Sequence, residues 1–222
     1  MAKQGSRFGE FKTYLREELI AHLPYTFVGL AAGLALVGLA MRMTWIRFGE
    51  EEFHTAHFIH IFFSAAAGSA IFHSYKDSLI KALPVVVTGS IALCSLSDSL
   101  IPFWSFHFFH KAAAFHVCAL EHPLTVLCFA AAGFVLGGIG IRFFKHCNRP
   151  FHLAHILIST SASVLYLVSF TDRLTAGDFA AVTVSLFFSL AIPCLIGDVT
   201  LPLCFVTIRE EYLHEKVHHR HT

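Results

Sequence analysis

The sequence predicts an all-α integral membrane protein, with six transmembrane helices arranged as two inverted-topology three-helix repeats. Three observations carry that expectation. Hydrophobic residues make up 55% of the 222 and charged residues only 14%. The apolar residues fall into six blocks, at about 23–41, 55–75, 82–103, 123–141, 152–171 and 179–206, each near or above the ~20 residues that cross a bilayer core as a helix. Finally, one polar constellation is written twice along the chain. A soluble bundle would have to hide nearly all of these apolar faces inside a small protein, which its surface-to-volume ratio disfavours.

Residues 1–22 mix Lys3, Arg7, Lys12 and Arg16 with Glu10, Glu17 and Glu18. Lacking the apolar core of a cleavable signal, they are expected to form a cytoplasmic amphipathic segment. Residues 23–103 hold the first three blocks and form the first repeat. The connector, 104–121, is aromatic but carries His107, His110, Lys111 and His116, so an interfacial or re-entrant helix over 103–118 is expected rather than a seventh span. Residues 122–206 form the second repeat, and 207–222 a His-rich cytoplasmic tail with His214, His218, His219 and His221. If the blocks alternate across the membrane, 12 Lys and Arg residues fall on the side of both termini and 4 on the other. That bias puts both termini in the cytoplasm of a multi-pass protein of the plasma or inner membrane.

The six cysteines show no disulfide spacing, and a net charge of +1 with scattered basic residues leaves no nucleic-acid footprint. No GxxxxGK[ST] run is present, so no nucleotide is expected.

The repeated constellation is His57-x2-His60-x3-Ser64 followed by Cys94-x3-Asp98-x3-Pro102. It returns as His152-x2-His155-x3-Ser159 followed by Cys194-x3-Asp198-x3-Pro202. Pro24, Thr26, Gly38 and Arg42 likewise match Pro123, Thr125, Gly137 and Arg142, so the paired elements lie 99, 95 and 100 residues apart. Three spans per half make the second half enter the membrane from the opposite side. This plan resembles that of 3+3 inverted-repeat secondary transporters, whose binding residues lie on interrupted helices at the repeat interface.

On a helix, residues three and four apart share a face. His57, His60, Cys94 and Asp98 are therefore expected to converge as metal ligands in one half, and His152, His155, Cys194 and Asp198 in the other. Ser64 and Ser159 would support them, and Glu121, His122 and His22 lie at neighbouring span ends. Pro102, Pro193 and Pro202 are expected to break the helices. Asp98 and Asp198 are the only acidic residues deep in predicted spans, where a carboxylate costs at least ~2.5 kcal/mol unless it is paired. The plainer reading has the aspartate held by Ser97 or Ser99 and the histidines bonding helix to helix. Mixed imidazole, carboxylate and thiolate ligands suit Zn²⁺ best and also accept Mn²⁺, Fe²⁺, Co²⁺ or Ni²⁺. Since the halves are inverted, the first constellation is expected in the outer half of the membrane and the second in the inner half.

These features predict a secondary transporter of a divalent transition metal rather than an enzyme. Its partners would be the lipid bilayer, the metal and protons, and homo-oligomers are compatible with it. The alternatives are a metal-dependent membrane hydrolase or oxidase, and a membrane metal sensor.

Overall fold

Glu50, Glu51 and Glu52 fill the first turn of the helix that carries the first histidine pair, where negative charge favours the positive end of the helix dipole. Glu52 reaches back to accept the Gly49 backbone N–H at 2.8 Å, half of a capping box. This helix therefore begins five residues before its apolar block.

The computed structural model describes residues 23–39, 49–74, 79–140, 148–171 and 174–193, with positions 20 and 42. In chain order they form α1 (Leu23–Leu39), α2 (Glu50–Ser74), α3 (Leu79–Ser95) and a five-residue π-helical turn (Leu96–Leu100). There follow α4 (Ile101–Phe108), a single turn α5 (Cys118–Glu121), α6 (Pro123–Ile139), α7 (Asn148–Ser169) and α8 (Phe179–Pro193). The described residues are all-helical, without strands. Among them one continuous helix, Ala82–Phe108, is long and apolar enough to cross a membrane. Leu23–Leu39, Pro123–Ile139, Leu153–Ser169 and Phe179–Ala191 are apolar but shorter.

Small residues let the helices approach closely. A Cβ at Gly133 would stand 2.2 Å from the Phe62 carbonyl oxygen, and one at Gly137 would stand 2.1 Å from that of Ala66, so α6 lies directly on the backbone of α2. The Ser69 hydroxyl fastens the same pair by donating to the Phe134 carbonyl at 2.7 Å. The other first helix behaves similarly, since a Cβ at Gly29 would meet Ile156 at 2.5 Å and one at Gly33 would meet Thr160 at 2.5 Å. Each half's first helix thus packs on the other half's second helix. α2 and α7 run antiparallel: Ser169, at the end of α7, donates to the Gly49 carbonyl before α2 at 2.8 Å.

The third block differs from expectation at its end. Its helix runs to Phe108 rather than 103 and ends in a turn at His110, whose φ is 56°. The expected helix over 103–118 is replaced by this helix end, an irregular stretch and α5. Side chains and backbone from the second half fix the stretch. Ala114 N–H donates to the Phe170 carbonyl at 2.8 Å, Tyr166 O–H donates to the Ala114 carbonyl at 2.7 Å, and Lys111 pairs with Asp178. Hydrogen bonding of Asp178 to Lys111 holds its carboxyl below the usual carboxylate range.

Candidate metal centre

Pro102 shapes the backbone at the centre. Having no N–H, it cannot bond the carbonyls of Ser97 or Asp98, and in a regular helix its ring would strike the carbonyl four residues before it. The chain widens into the π turn just there, with Ile101 N–H donating to the Leu96 carbonyl, and such turns are frequent at functional sites. The freed Ser97 carbonyl accepts the Ser163 hydroxyl from α7 at 3.2 Å. The break therefore precedes Pro102 and surrounds Asp98. Pro193 is the last described residue of α8, and Pro202 lies outside the described residues.

Asp98, with no exposed surface, stands at the crossing of α2, the π turn and α7. Its Oδ2 accepts Nδ1–H from His57 at 2.8 Å and from His60 at 2.7 Å. Its Oδ1 accepts the Ser97 hydroxyl at 2.6 Å and the Ser159 hydroxyl at 3.5 Å. Ser99 is buried nearby without a hydrogen-bond partner for its hydroxyl among the described residues. The carboxylate is thus compensated on both oxygens, as a buried charge requires.

This pairing fixes both rings. With Nδ1 of His57 and of His60 turned to one carboxylate, Nε2 is the nitrogen each ring has left to offer a metal. His60 Nε2 faces His155 Nε2 at 2.9 Å. His57 Nε2 is buried with no hydrogen-bond partner among the described residues, and its ring stacks on Phe53. The Cys94 thiol is buried on the helix that leads into the π turn.

Of the eight expected ligands, the structure brings His57, His60, Cys94, Asp98 and His155 together, with Ser159 beside them. Ser64 is not among the partners of Asp98. His152 lies on α7, while Cys194, Asp198 and His22 fall outside the described residues. His155 and Ser159, expected in a separate constellation, instead stand with the first. The reason is register: α2 and α7 run antiparallel with Ser169 bonded to Gly49, which brings His60 and His155 level.

A second cluster, not anticipated from the sequence, lies toward the start of α2. His54 Nε2 is 2.8 Å from His116 Nε2, and Cys118 Sγ is 3.6 Å from the same His116 nitrogen. His116 Nδ1 pairs with the Glu121 carboxylate at 2.9 Å, and the His122 ring lies 4.9 Å from that of His54. Glu121 and His122 therefore belong here rather than with Asp98. Burial lowers the basicity of His116 against the opposing pull of Glu121. Burial foremost, with the Asp98 and Glu121 carboxylates, pushes the Cys118 thiol up to about 12. The sequence signal for this cluster was the spacing His54-x2-His57-x2-His60, which extends the stripe by one turn.

Compared with family models, with curated proteins and with solved structures, the chain matches none.

Proposed function

We propose that the chain is a multi-pass membrane transporter of a divalent transition metal, Zn²⁺ foremost, which binds one composite centre shared by two inverted repeats. The observation that carries this reading is the double hydrogen bond from His57 and His60 to Asp98 Oδ2. It matches the carboxylate–histidine arrangement that orients imidazoles toward a metal and raises their basicity. His155 supplies an imidazole from the other half, and Cys94 a thiol. Asp98 acts mainly by orienting the rings.

Three further features favour transport. The centre stands at an interrupted helix where the halves meet, the usual location of a transporter's substrate site. The antiparallel course of α2 and α7 agrees with inverted halves, as does the exchange of helix partners through Gly29, Gly33, Gly133 and Gly137. Apolar helix faces such as those bearing Leu124, Val135 and Ile139 on α6 are exposed, as a lipid-facing surface would be. Six spans, cytoplasmic termini and protons as the counter-ion complete the reading.

A metal-dependent membrane enzyme is the second reading, and the meeting of His60 with His155 favours it, since ligands from both halves share one place. Zinc flux in proteoliposomes separates the two. Transport predicts uptake that Asp98→Asn abolishes. An enzyme or a sensor would bind zinc and move none, and absence of flux for every first-row divalent metal would refute the transporter.

A further inference from the structure

Among the described residues, the cluster at His54, His116 and Cys118 has no counterpart in the second half. At the offset of the histidine motif, Arg149 stands where a partner of His54 would be, and His116 and Cys118 come from the connector. The duplicated centre therefore does not account for it. Its ligand atoms, two imidazole nitrogens and one sulfur, all lie within 4.8 Å of one another. A tetrahedral zinc ion with its usual bond lengths holds two nitrogens about 3.3 Å apart and nitrogen and sulfur about 3.6 Å apart. The observed separations are 2.8 Å and 3.6 Å, so a half-ångström opening of the imidazole pair would fit the ion.

The surroundings suit a ligand role. Glu121 sets a carboxylate oxygen 2.9 Å from His116 Nδ1, and its charge beside that nitrogen leaves Nε2 to face His54, a carboxylate–histidine pairing of the kind that supports metal ligands. His116 and Cys118 are buried, whereas Glu121 and His122 are exposed, giving a cluster closed on the protein side and open at its rim. His122 is at hand as a fourth ligand. Phe53, fully buried, separates this cluster from the central one: its ring stacks on His57 at 5.5 Å and meets His116 edge-on at 5.7 Å.

We propose that His54, His116 and Cys118 form a second metal site, selective for a thiolate-tolerant cation such as Zn²⁺ or Co²⁺, with Glu121 orienting His116. The site is separate from the transport centre and stands on its own geometry. Zinc held there would be one residue layer, Phe53, away from His57, at the start of the same helix.

Full-length protein in nanodiscs, titrated with Co²⁺ alone, tests this. In a Cys94→Ser background, which silences the thiol of the central site, the expected result is a thiolate-to-cobalt charge-transfer band that Asp98→Asn retains and that adding Cys118→Ser removes. Persistence of the band in Cys94→Ser/Cys118→Ser, or its absence from Cys94→Ser, overturns the proposal. Glu121→Gln, an exposed substitution that spares the fold, provides a second check. It should weaken cobalt affinity at this band by roughly 10-fold, the lower end for loss of an orienting carboxylate, and an unchanged affinity would contradict the assignment. Loss of zinc flux in Asp98→Asn with the cobalt band intact would show that the two sites are independent.

Discussion

The two histidine clusters on α2 differ in how their geometry is held. The central one, His57 and His60 of α2 with Asp98 of the π turn, is braced by Ser97 and by Ser159 and Ser163 of α7. The outer one, His54 with His116 and Cys118, depends on an irregular connector fastened by Tyr166 and Lys111. One helix therefore carries both, but different supports set their second partners. The comparison teaches that the sites can be perturbed separately.

The largest expected effect is at Asp98. Asp98→Asn leaves one carbonyl oxygen where two now serve the histidine pair and the serine pair, and should lower zinc affinity at the centre by about 10- to 100-fold, as measured by competition with a chelating dye. Gly137→Leu should come next and should blur the distinction between the clusters. A side chain there strikes the Ala66 backbone and displaces α2, which carries both clusters, at a cost of about 1–3 kcal/mol in a denaturant titration. Gly38→Ala, with nothing within 4 Å of its Cβ, is its control and should change stability little.

Two smaller substitutions should divide the clusters. Ser163→Ala uncaps the Ser97 carbonyl and should cost about 1 kcal/mol, weakening zinc binding at the centre more than cobalt binding at the outer cluster. Tyr166→Phe frees the Ala114 carbonyl at a similar cost, with the opposite preference. The weakest effect is that of acid on the connector. Asp178 has its folded-state pKa lowered by Lys111, so it binds fewer protons folded than unfolded. Its contribution is present above the ordinary carboxylate range and is lost as pH falls through the lowered value. The Lys111 side chain is 46% exposed, so the contribution is screened and stays below about 1 kcal/mol. Lys111→Met should flatten this part of a stability-against-pH curve on the acid side of the ordinary carboxylate range.

The helical class and the meeting of His57, His60 and Asp98 were legible in the sequence, because a 3.6-residue period puts an HxxH pair and a CxxxD face where two helices pack. The shared centre was not. Apolar blocks mark where a helix is greasy, whereas the register of α2 against α7, held by the Ser169 to Gly49 hydrogen bond, is what brings His60 level with His155. The π turn was hinted at by Pro102, but its position before the proline depends on which carbonyls lose their donor. His116 and Cys118 were hidden because no periodicity governs the connector. Its path is set by contacts to Tyr166, Phe170 and Asp178, which lie more than fifty residues away in the chain.

The claim that matters most is that one centre draws ligands from both halves. A double-mutant cycle on initial zinc uptake into proteoliposomes, with His60→Ala, His155→Ala and the pair together, tests it most directly. A shared centre predicts that each single substitution slows uptake at least 10-fold and that the double is no slower than the worse single, as for residues acting as a unit. Two separate sites would give independent effects that multiply in the double variant, and that result would contradict the account.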